Sequence, residues 1–198
     1  MKLTPKLTSR LSLLLLTLVS ASSFADWTLN NDKSNLNFIS VKKSSIVEVH
    51  HFSQLAGSVK DSSGKANIEI NLASVETLIP IRNERIQSLL FQTNMYPKAS
   101  ISADINVADV NQLKLGESFK TKQTLVLDLH GVKNELVADI QVTKLMNNSL
   151  NVSSLKPVVL KGADFKLVEG INDLRDIASL PSITTQIPVT FNLVFDIN

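Results

Sequence analysis

Apolar and polar residues alternate with period two along most of this chain. Ala66, Ile68, Ile70 and Leu72 are separated by Asn67, Glu69 and Asn71. Ile101, Ala103, Ile105 and Val107 are separated by Ser102, Asp104 and Asn106. The same alternation runs through Leu125, Leu127 and Leu129, through Leu136, Ala138, Ile140 and Val142, and through the longest run, Ile187 to Ile197. Successive side chains of a strand point to opposite faces, so each stretch predicts a strand with one apolar face, as in antiparallel sheets. Turn-forming clusters separate them: Asp61-Ser62-Ser63-Gly64, Leu115-Gly116-Glu117, His130-Gly131 and Asn147-Asn148-Ser149. About eight strands joined this way predict a mainly β fold, a barrel or a sandwich, and a closed barrel removes exposed edges.

Two segments break the period. "RNERIQSLLFQTNMYP", Arg82 to Pro97, opens with charges and turns apolar at Leu89, Leu90 and Phe91. It predicts a short amphipathic helix over Arg82–Phe91. The second, "NDLRDIAS" over Asn172–Ser179, predicts another, with Asn172 as its cap and Leu174, Ile177 and Ala178 on one face.

The first 25 residues have a different character. Lys2, Lys6 and Arg10 precede an apolar stretch, Leu11–Val19, too short to span a bilayer, and Ser23-Phe24-Ala25 ends in small residues. This predicts a secretory signal peptide cleaved after Ala25, a periplasmic destination and one mature domain, 26–198, without a membrane span. The formal charge of +2 includes those three cations, so the mature chain carries −1 and nothing points to a nucleic-acid partner. With no cysteine, disulfides, thiol catalysis, a lipoprotein anchor and cysteine-zinc sites are excluded.

Candidate chemistry is sparse. His50 and His51 are adjacent, so on a strand they face opposite sides and do not share an ion. A zinc site from Glu48, His50 and His130 is the one conceivable combination, and ordinary hydrogen-bonded histidines are the simpler account. No Gly-x-Ser-x-Gly turn, phosphate-cradling loop or dinucleotide fingerprint is present. The residues therefore give no catalytic site, no metal site and no cofactor.

Several motifs, in order, resemble the YceI-like family. Its signature runs roughly Arg-Asp-x-His-Leu-x-Ser-x-x-Phe-x-x-x-x-Tyr-Pro, and Arg82, Ser88, Phe91, Tyr96 and Pro97 match it. "SNLNF" at Ser34–Phe38, Phe52 with Gly57, "SVET" at Ser74–Thr77, "LVLDLHGVKNEL" at Leu125–Leu136 and the closing "PVTFNLVF" are similar to further family segments. The chain departs from the pattern at Asn83 (usually Asp), Arg85 (usually His), Leu90 (usually polar) and Lys42 (often His).

The resemblance implies a lipocalin-like antiparallel β-barrel of about eight strands with one or two short helices. Its lumen would hold a long isoprenoid-type lipid, a polyprenyl chain or an isoprenoid quinone, without catalysis. The expected apolar lining is Phe38, Phe52, Leu89, Leu90, Phe91, Ile101 and Ala103, with Arg82 as the head-group contact. A small barrel either fills its lumen or keeps room for one slender ligand. One Trp, one Tyr and eight Phe supply little filling bulk. The alternative is an envelope structural or stress-related interaction protein with a filled barrel. Oligomeric state stays open, a dimer included.

Overall fold

The alternating stretches become strands of one antiparallel sheet that closes on itself. The computed structural model describes residues 26–197, and the expected signal peptide, 1–25, lies outside the described residues. The strands are β1 (Trp27–Leu29), β2 (Asn35–Lys42), β3 (Ile46–Phe52), β4 (Leu55–Val59), β5 (Lys65–Asn71), β6 (Val75–Glu76), β7 (Lys98–Asp104), β8 (Ser118–Leu129), β9 (Val132–Lys144), β10 (Leu150–Ser154), β11 (Val158–Lys161) and β12 (Gln186–Ile197). Eight of them form a ring, β1-β4-β5-β7-β8-β9-β10-β12, closed where Trp27–Leu29 pairs with Phe195–Ile197.

β12 is long enough to serve two sections of wall. Its C-terminal part lies between β1 and β10, and its N-terminal part lies between β2 and β11. There the wall is extended by β3, which pairs with β2, and by β6 on β3. Trp27, Leu36, Phe52, Leu127, Leu193 and Phe195 are buried on the inner face.

Three helices interrupt the sheet: α1 (Pro80–Arg85), α2 (Val107–Gln112) and α3 (Val168–Ile177). Pro80 begins α1, where its fixed φ suits a first helical turn. The next five residues, Ile86–Leu90, are π-helical, and the Phe91 N–H donates to the Ile86 carbonyl at 2.9 Å. α3 begins four residues before the expected cap. Asn172 lies inside it, and its side-chain oxygen accepts from Arg175 at 3.0 Å. α2 replaces the end of the predicted Ile101–Val107 strand: Asn106 leaves the sheet and its side chain accepts from the Ala108 N–H at 3.2 Å.

Candidate functional site

The barrel is hollow. A cavity of ≈ 350 Å³ lies beneath α1, the π-helical turn and α3, and a second of ≈ 160 Å³ lies at the α2 end. Leu36, Ile101, Leu125 and Phe191 line both, so they form a waist between two compartments of one lumen. The filled barrel of the alternative reading is therefore not what the side chains build.

The period-2 register arranges the larger compartment. On β2 the lining positions are Leu36, Phe38, Ser40 and Lys42, with Ile39 the one out-of-phase addition, and on β3 they are Phe52, His50 and Glu48. Phe38 pairs with His50 and Ser40 with Glu48. One wall thus grades from apolar at the waist to charged at its other end. Phe38 and Phe52 pack with ring centroids 5.4 Å apart, and Phe52 and Phe91 at 5.8 Å.

Of the expected lining residues, Phe38, Phe52, Leu90, Phe91 and Ile101 all face the larger compartment. Ala103 lines only the smaller one. Leu89 is a correction, because it lines neither. In a π-helical turn, residues i, i+4 and i+5 come onto one side, which brings Ile86, Leu90 and Phe91 to the lumen and turns Leu89 away. The backbone at Leu89 is instead pressed against α3, where a Cβ built on Gly170 would lie 2.5 Å from the Leu89 carbonyl oxygen. The helix is therefore a wall of the cavity, packed against α3, which lines the same compartment through Ile171, Leu174 and Ile177.

The charged end is a closed network. Arg82 donates through Nη1 to both Glu48 oxygens, at 3.0 and 2.9 Å, and through Nη2 to the Thr77 carbonyl at 2.5 Å. Lys42 Nζ lies 2.6 Å from the same carboxylate. Burial pushes the Glu48 carboxyl up, but the hydrogen bonds and charges of Lys42 and Arg82 outweigh it and hold the group below its ordinary pKa. Arg82 lines the cavity, and its guanidinium is already bonded to Glu48 and Thr77. Asn83 ties the loop down: its side-chain oxygen accepts from Thr77 N–H (2.9 Å) and Thr77 Oγ1 (2.6 Å), and its nitrogen donates to Glu76.

His50 is a lumen residue that patterning alone did not single out. It is 3 % exposed, with Nε2 2.9 Å from Ser40 Oγ. Burial, reinforced by Arg82, lowers its pKa to about 4, so it is neutral at pH 7. The Glu48/His50/His130 zinc arrangement is not assembled: Glu48 and His50 share the lumen wall, whereas His130 packs tilted against Tyr96 with centroids 4.4 Å apart and lies outside the cavity lining. Among the described residues no group of three His, Asp or Glu is placed to hold a metal ion. The lining signal for Leu127, Leu129, Val189 and Phe191 was present as in-phase alternation, but which strands meet around one cavity depends on the closed register.

Comparison with known proteins follows the same architecture. A profile of the YceI-like domain matches residues 27–195. A solved polyisoprenoid binding domain from Saccharophagus degradans, implicated in plant cell wall breakdown, is 36% identical with a TM-score of 0.84, over 88% of this chain and 99% of that one. Burkholderia cenocepacia BcnA, at 15% identity and a TM-score of 0.64, over 84% of this chain and 98% of that one, shares the fold. No curated protein matches. A profile match over nearly all of the barrel, with the similar Saccharophagus domain beside it, means that this chain belongs to the YceI-like family.

Proposed function

We propose that this protein is a non-catalytic carrier that holds one long isoprenoid-type lipid, a polyprenyl or an isoprenoid quinone, in the barrel lumen. The observation that carries the reading is the two-compartment apolar lumen, divided at Leu36, Ile101, Leu125 and Phe191 and charged at one end of the larger chamber. A prenyl chain offers only apolar surface, worth ~25 cal/mol per Å² removed from water, so a dry, elongated cavity holds it with few polar contacts. The graded wall orients an amphiphile with its tail through the waist and its polar head toward Lys42, Glu48 and Arg82. The Saccharophagus relative is described as binding polyisoprenoids, which supports the same ligand class here.

The basic, apolar and small-residue order of residues 2–25 supports export to the periplasm with cleavage after Ala25, leaving residues 26–198 as the single barrel domain. Titrating delipidated protein with prenyl alcohols of increasing length and reading complexes by native mass spectrometry tests the binding claim. One alcohol per chain, lost in an Ile101→Trp variant that stays folded, is the expected result. Absence of any saturable complex rejects the carrier.

A further inference from the structure

We propose that the rim around Leu78 is a docking surface for a lipid bilayer carrying anionic phospholipid, from which the lumen is loaded. The inference rests on the carrier reading above and adds to it the surface at which exchange takes place. Leu78 is an aliphatic side chain left 87 % exposed. Its φ is +62°, a left-handed conformation that leucine rarely adopts. Polar contacts hold it so: its N–H donates to the Glu76 side chain, Asn83 binds Thr77, and Arg82 binds the Thr77 carbonyl. A clasp of polar contacts around the buried Thr77 therefore displays an exposed leucine.

The next residues lead directly into the cavity. Ile79 and Ile81 line the larger compartment yet are 44 % and 51 % exposed, as is Ile177 of α3 at 51 %. Lining residues that also face solvent mark the mouth, so Leu78 stands beside the opening. An apolar ligand pays heavily for crossing water, and an apolar lip continuous with the lumen lets it pass from acyl chains to cavity without doing so. Charge supports the same occupant. Of the cations lining the compartment, Lys42 and Arg82 pair with Glu48, whereas Arg85 and Lys161 make no ion pair among the described residues and give the opening cations suited to phosphate head groups.

The test uses purified protein lacking residues 1–25, whose barrel is complete within the described residues, and vesicles of phosphatidylethanolamine with phosphatidylglycerol. Leu78→Asp suits the left-handed backbone, lies outside both cavity linings and leaves the lumen unaltered. Wild type is expected to co-sediment with these vesicles and to bind pure phosphatidylcholine less well. Leu78→Asp should lower the partition at least about tenfold, through lost apolar burial and an added negative charge. Val137→Asp, an exposed site on β9, should not change it. Lipid extracted from each variant is measured in parallel: equal lipid load with lost vesicle binding isolates docking from carrying. Wild type that ignores the vesicles, or Leu78→Asp that binds them like wild type, overturns the proposal. So does a Leu78→Asp variant that dissolves a dimer while its vesicle binding persists, because the rim would then be covered by a second copy. Protein that docks but carries no prenyl lipid rejects the carrier reading and leaves the docking surface standing.

Discussion

Gly170 of α3 lies against Leu89 of the π-helical turn so closely that an added Cβ would be 2.5 Å from the Leu89 carbonyl oxygen and 2.8 Å from the Leu90 Cα. Both obstacles are backbone, so neither rotates away. Gly170→Ala must push α3 off the turn that walls the cavity. A cost of ~1–3 kcal/mol is expected, which at about 2–4 °C per kcal/mol for a domain of this size lowers Tm by several degrees. A thermal melt of the variant checks it, and an unchanged Tm would mean the two segments are not held in this contact.

Asn83 holds the loop at the cavity mouth through Thr77, whose side chain is buried. Asn83→Ala removes the side-chain acceptor of the Thr77 N–H and leaves the hydroxyl only its longer contact, 3.4 Å, to the Ile79 carbonyl. Leaving buried donors unpaired costs ~1–3 kcal/mol. Urea denaturation should show a lower midpoint with an unchanged slope.

The buried His50 makes stability depend on pH. Its pKa is about 4 in the fold, below the ordinary value of 6.5. Between those values the unfolded chain binds a proton that the folded chain refuses, so stability is full above about pH 6.5 and falls as pH drops toward about 4. His130, lowered chiefly by burial, and Glu48, held below its ordinary value, act in the same direction, Glu48 at the acid end of the range. His50→Phe should therefore flatten the profile of Tm against pH in this window without abolishing its slope. A profile as steep as that of wild type would mean His50 is not the main sensor.

Much of the fold is legible in the sequence because one buried face forces strict alternation: β5, β8, β9 and β12 all coincide with period-2 runs. The interruption at Arg82–Phe91 is legible for the same reason, but its phase is not. The Ile86–Leu90 turn is π-helical and packs on Gly170, a contact from another part of the chain that spacing does not show, and the π-helical phase moves Leu89 out of the lumen. α2 was hidden because Ile105 and Val107 continue the alternation of β7 past the point where Asn106 caps a six-residue helix. Asn172 offers a cap at the wrong place: α3 starts at Val168, and Gly170, a poor helix former, masks that first turn, where close approach to Leu89 requires it. The Glu48–Arg82–Lys42 network spans three elements, so spacing alone gives no sign of it.

The two compartments separate chain length from binding itself. Ala103 lines only the smaller chamber, whereas Ile101 lines both. Ala103→Trp should fill the far chamber and leave a folded protein that accepts short prenyl alcohols and rejects long ones. Ile101→Trp should close the waist and weaken binding of all but the shortest. Native mass spectrometry across a ladder of chain lengths reads both, and identical ladders for the two variants would contradict a ligand threaded through the waist.

The central claim is that the lumen holds a prenyl lipid, and the most direct measurement is organic extraction of protein purified from its native host, followed by mass spectrometry of the extract. The account predicts a prenyl chain, with a polar head, recovered at close to one per protein and sharply reduced from the Ile101→Trp variant. Folded wild-type protein that yields no prenyl lipid, and takes none up when offered, would contradict it.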